Sequence, residues 1–145
     1  MKYFLSSILV LIIALTLTAC SDNSSNATAA NINRNLAYEI LGTKREQSVI
    51  DANDMGFCVN LHVKSSSDET FQFNVFAIYA KDDTGISILP SLFIRPAPAF
   101  DPNIRLAPSA QHRGWICFSE PEPSWTPTTI EFSEFARDTF LRVIL

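Results

Sequence analysis

Three cysteines, two histidines and the adjacent carboxylates Asp82 and Asp83 are the side chains from which chemistry could be built here. Nucleophilic catalysis of the Ser-His-Asp kind needs a serine on a sharp turn, and no Gly-x-Ser-x-Gly occurs. A phosphate-cradling loop needs clustered glycines, and the whole chain has four. Asp82 and Asp83 stand in the run Asp82-Asp83-Thr84-Gly85, where two carboxylates are turn residues before they are a calcium site. The cysteines, Cys20, Cys58 and Cys117, are odd in number. No catalytic residue, metal site or cofactor is expected.

The elements that would position these groups begin with a leader. Met1-Lys2 is a short positive start, and residues 3–17 are apolar apart from Ser6, Ser7 and Thr16, the layout of a secretory signal. A membrane-spanning helix needs about 20 apolar residues, which puts this run at the short limit. Its end, Leu17-Thr18-Ala19-Cys20, resembles the lipobox of bacterial lipoproteins. That resemblance implies cleavage of residues 1–19 and a diacylglycerol thioether on Cys20. It also implies that Ser21, standing where an aspartate would mark inner-membrane retention, favours the outer membrane facing the periplasm. Residues 20–35 are small and polar with little to bury, so they are expected to be the lipidated cysteine and a flexible tether.

From residue 36 the pattern changes to alternation. Leu36, Tyr38 and Ile40 share a face and Gly42 ends the run, a first strand. Residues 43–55 are polar and charged with one strongly apolar pair, Val49-Ile50, and read as a loop. Residues 56–64 alternate most cleanly, with Phe57, Val59, Leu61 and Val63 on one face and Cys58, Asn60, His62 and Lys64 on the other. A long strand is expected over residues 71–81 and a short return strand over 86–89. A proline-rich extended crossing follows over 91–108, with room for a brief edge strand at Leu92-Phe93-Ile94. Residues 111–119 make another strand, and residues 128–132 and 139–145 a terminal hairpin. About seven short strands without a helix-period segment predict an antiparallel β-sandwich over residues 36–145.

Loss of Cys20 to lipid leaves Cys58 and Cys117 as an even pair in an oxidising compartment, which predicts one disulfide. Parity places each cysteine opposite the apolar face of its strand, so the bond implies neighbouring strands in one sheet. The register that follows sets Cys58 against Cys117, Asn60 against Trp115 and His62 against Arg113. His62 and His112 then fall on opposite faces, which argues against a shared metal ion.

Residues 56–64, the turn at 82–85 and Leu106-Ala107-Pro108 leading into Gly114-Trp115-Ile116-Cys117-Phe118 resemble the telokin-like, MPT63-like immunoglobulin-fold domains of unknown function. The family's Pro-Gly before the second motif is Pro108-Ser109 here, and the proline-rich crossing is an addition. The resemblance implies an immunoglobulin-like sandwich and carries over no catalytic residue.

Removing Lys2 with the leader leaves ten basic against fifteen acidic residues, a net charge of −5 with the bases scattered singly. Such a body lacks the footprint for nucleic acid. The residues expected to meet a partner are Trp115, Trp125, His62 and Arg113, with Phe100 expected to fold back into the core. The sequence reads as an extracytoplasmic binding lipoprotein of the bacterial envelope, not an enzyme, with an envelope protein or polymer as partner. The alternatives are a structural accessory lipoprotein of an envelope or secretion assembly, and a hydrolase or metal-dependent enzyme for which no motif is present.

Overall fold

The computed structural model describes residues 35–134 and 138–145. The leader, Cys20 and the tether, apart from Asn35, lie outside the described residues, as does most of the 134–138 connection. The described residues form β1 (Leu36–Gln47), β2 (Met55–Ser65), β3 (Phe71–Gln72), β4 (Ile78–Lys81), β5 (Ser87–Ile88), β6 (Arg105–Leu106), β7 (Gln111–Ser119), β8 (Thr129–Ser133) and β9 (Thr139–Ile144). All strand pairs are antiparallel. One sheet has the order β1-β2-β7, a second β5-β4-β8-β9, and β3 pairs with β6 as a small third sheet.

Alternation decides which face each strand buries. Phe57, Val59, Leu61 and Val63 of β2, with Ile116 and Phe118 of β7, meet Ile78 and Ala80 of β4, Ile130 and Phe132 of β8, and Leu141 and Val143 of β9 in one buried cluster. Burying each large side chain contributes about 1.5–3 kcal/mol, so this double layer dominates the stability. Phe73, Phe100, Leu106 and Trp125 close the cluster from β6 and the connections. Phe73 stacks on Phe100 at 5.8 Å between ring centroids and on Phe140 at 5.6 Å. The result is the expected all-β antiparallel sandwich.

Two elements depart from the sequence expectation. The first strand does not end at Gly42 but runs on to Gln47. A bulge between Ile40 and Gly42 absorbs Leu41 and reverses the parity of the strand. Before it, Tyr38 and Ile40 face inward opposite Val63 and Leu61; after it, Lys44 turns outward opposite Cys58 and Arg45 inward opposite Phe57. Residues 43–47 are all polar and therefore read as loop, yet they stay paired with residues 55–59 of β2.

The second departure is at residues 71–81, which are not one strand. Asn74 accepts the Phe76 N–H on its side chain at 2.9 Å and starts a 3-10 turn, Val75–Ala77, between β3 and β4. The Val75 N–H donates to the Asn103 side chain at 3.2 Å. These side-chain bonds satisfy backbone groups that a sheet ladder would otherwise take.

The crossing segment lies along the free edge of β7. The Ser91 N–H donates to the Cys117 carbonyl, the Trp115 N–H to that of Pro98 and the Phe100 N–H to that of Trp115, each at 2.8 Å. Leu92, Phe93 and Ile94 form no strand. Gly114 is the point of closest approach, since a Cβ there would stand 2.5 Å from the Ala99 carbonyl carbon.

Candidate functional site

The outer face of the β1-β2-β7 sheet carries three of the four residues expected to meet a partner. In the β2–β7 ladder Cys58 faces Cys117, Asn60 faces Trp115 and His62 faces Arg113, the register expected from parity. Cys58 and Cys117 form a disulfide with their α-carbons 4.1 Å apart, the close spacing of directly opposed strand residues. The two sulfurs face away from the sandwich core yet are buried. Ile94 of the crossing segment covers them, with Trp115 packed alongside. The expectation that the pair would project outward holds for its direction and not for its exposure.

Trp115 is half-buried, resting on the disulfide and Ile94 with the Lys44 ammonium 4.9 Å from its ring centroid. Lys44 also pairs with Glu46 at 2.5 Å. Such a cation over indole is a favourable electrostatic contact, and it caps the ring with a movable side chain. At the next outward-facing pair along the ladder, His62 sits between Gln111, 3.1 Å from its Nε2, and Glu39, 3.7 Å from its Nδ1. A shallow groove lined by Ala37, Tyr38, Glu39, His62 and Lys64 runs along this edge. The face is thus one half-buried indole in a polar field of both charge signs. Lys44, Glu39 and Gln111 were not singled out from the sequence. Only the bulge brings Lys44 onto this face, and only the paired ladder shows what flanks His62.

Trp125 belongs elsewhere. It is 4% exposed, so its ring presents no surface to a partner, correcting the expectation that it would. Its Nε1–H donates to Asp82 Oδ2 at 2.8 Å. Asp82 Oδ1 accepts from the Thr84 N–H at 3.0 Å, the Thr84 hydroxyl at 2.8 Å and the Ile86 N–H at 2.9 Å. Desolvation pushes the Asp82 carboxyl upward, and these hydrogen bonds outweigh it, holding it below the usual range. With both oxygens engaged inside the fold, Asp82 is a turn organiser that ties the 82–86 turn to the Trp125 loop.

His112 lies on the inner side, away from His62. Its ring meets Phe100 edge-on at 4.5 Å, and its Nε2 accepts the Asp101 N–H at 2.9 Å. A nitrogen that accepts is unprotonated, so this histidine is neutral with its proton on Nδ1. Burial holds its pKa below the ordinary value, against the opposing pull of Asp101. Among the described residues no group of three histidine, cysteine, aspartate or glutamate side chains is arranged to hold a metal ion.

One further network was not legible in the sequence. Arg45 reaches across from β1 to Glu120 Oε1 at 2.6 Å, the Trp125 carbonyl at 3.2 Å and the Thr126 hydroxyl at 3.1 Å. It fastens the post-bulge half of β1 to the loop that buries Trp125.

No protein-family model and no curated protein sequence matches the chain. Among solved structures, MPT63, a secreted protein from Mycobacterium tuberculosis, superposes with a TM-score of 0.54. The fold is the immunoglobulin-like sandwich of MPT63. The likeness covers 76% of this chain and 82% of MPT63 at 15% sequence identity. A likeness of that kind establishes shared architecture and nothing about shared activity.

Proposed function

We propose that this chain is a lipid-anchored binding protein of the bacterial envelope, without catalytic activity, held through Cys20 to the outer membrane and facing the periplasm. The sequence Leu17-Thr18-Ala19-Cys20 carries the location. Two or more acyl chains on one cysteine give stable anchoring, because each buried methylene adds about 0.8 kcal/mol. The Cys58–Cys117 disulfide supports an oxidising compartment, where such bonds persist. The description of MPT63 as secreted points the same way.

The binding surface in this reading is the outer face of β1, β2 and β7, with Trp115 at its centre and His62, Arg113 and Lys44 around it. A sheet locked by a disulfide fixes the backbone that carries these groups before association, and tryptophan and arginine are the side chains that most often dominate an interface. An envelope protein or polymer is the partner class. The test is affinity isolation of the native chain from solubilised membranes, beside Trp115→Ala and Arg113→Glu. One stoichiometric partner that the variants lose supports the reading. A partner retained equally by both variants removes this face as the contact.

A further inference from the structure

At the end of the sandwich where β1 turns into β2, two connections meet. The Val49 N–H donates to the Phe93 carbonyl at 3.1 Å, which sets the 48–54 turn beside the crossing segment. Four large apolar side chains stand out from this join. Val49 is 84% exposed, Ile50 67%, Leu92 54% and Phe93 50%, while the next residue, Ile94, turns inward onto the disulfide. A contiguous apolar group of this kind on a small domain marks a contact surface.

We propose that this apolar end inserts shallowly into a lipid bilayer, the one to which Cys20 is anchored. The inference rests on the lipid-anchored reading and adds a second membrane contact to it. Shape favours lipid: Val49 and Ile50 lead into the tip of the 48–54 connection and are the most exposed neighbouring pair of large apolar residues among those described, and a fluid surface moulds itself to such a protrusion. Asp51, Asn53 and Arg95 are exposed close by in sequence, as suits side chains at the headgroup level. Reach also allows it. The twelve residues of β1 span roughly 40 Å at the usual strand rise. Residues 21–35, which join Cys20 to its start, extend to roughly 50 Å at full stretch. The far end of β1 therefore comes within range of the same bilayer, with the sheet lying along the surface. A dimer through this end is disfavoured by area, because a few hundred Å² on each copy falls short of the roughly 1,200 Å² total of a stable interface.

The test uses the processed chain, purified as the cell makes it, with phosphatidylcholine vesicles carrying an apolar photoreactive probe. The probe labels side chains that reach the acyl region, and mass spectrometry maps them. Labelling is expected at residues 49–50 and 92–93 above the level at Phe76 and Ile144, which are exposed apolar residues on other elements. A Val49→Asp, Phe93→Asp variant should lose it to that level with its unfolding midpoint unchanged. Equal labelling at the apolar end and at the two controls overturns the inference. So does labelling seen in protein-free vesicles and lost in native membranes, where a protein then covers this end. The mass of the same sample reads the state of Cys20 separately. An acylated Cys20 with an unlabelled apolar end overturns this inference alone, and a labelled end without acylation removes the anchor and keeps the bilayer contact.

Discussion

Cys58 and Cys117 close a loop 59 residues long between two adjacent strands. In the chain-entropy account a cross-link of that span stabilises by about 4 kcal/mol, by restricting the unfolded chain. The Cys58→Ala, Cys117→Ala double variant should lose about that much in urea titration. A loss near zero would mean that the β2–β7 ladder holds without the bond. Parity alone was enough to place this pair, because a strand offers only two faces and the apolar residues claim one of them. The burial of the sulfurs was not legible, since their cover is Ile94, which lies on neither strand. Trp125 escaped for a like reason: it packs into the core cluster, and its indole N–H is met by Asp82, 43 residues away in sequence. Titration adds a second prediction at this scale. His112 has a lowered pKa in the folded state, so the unfolded chain takes up its proton first as pH falls below the ordinary 6.5. Asp82 and Glu131 are also lowered, from 3.8 and 4.5, Glu131 because Lys81 and Arg142 outweigh its desolvation. Stability should be flat above about pH 6.5 and fall in two limbs, one below that value and one below about pH 4.5. Chemical denaturation across pH checks this, and His112→Gln should abolish the upper limb while leaving the lower.

The bulge at Leu41 and the glycine at 114 decide how the elements fit. The bulge turns one long edge strand into two halves of opposite parity, giving Lys44 to the Trp115 face and Arg45 to the Glu120 network. Period-2 reading found the first half and lost the second, because residues 43–47 are all polar and offer no apolar alternation by which a strand is recognised. It merged β3 and β4 for the opposite reason. Apolar residues continue through Phe73, Val75 and Ala77, while the interruption comes from a polar side chain, Asn74, capping the turn between them. Gly114 has a simpler role. It sits on the inner side of β7 opposite Leu61, and the backbone of Ala99 and Phe100 occupies the space a side chain would take. Gly114→Ala should force the crossing segment off β7 and cost about 1–3 kcal/mol, as overpacking of a tight contact does. Loss of amide protection at Trp115 and Phe100 in hydrogen exchange would show the displacement, and unchanged protection there would contradict it.

The whole molecule combines a sandwich whose sheets were legible from alternation with connections that were not. Residues 56–64 and 111–119 carried the strand signal, the pairing and the disulfide, so the sheet that presents Trp115, His62 and Arg113 followed from sequence pattern. What covers that sheet, and what leaves Val49, Ile50, Leu92 and Phe93 in water, depends on where a proline-rich segment comes to rest. Prolines fix local angles without specifying a partner strand, so that destination is set by tertiary packing. In the proposed reading the molecule's place in the cell rests instead on residues 17–20, outside the described residues. The intact mass of the processed chain purified from membranes, with and without reduction, tests both ends of the account in one spectrum. It should correspond to a chain beginning at Cys20, carrying diacylglycerol, and gaining two hydrogens on reduction of Cys58–Cys117. A mass that retains residues 1–19, or one without acyl groups, would contradict the lipid anchor, and an unchanged mass on reduction would contradict the disulfide.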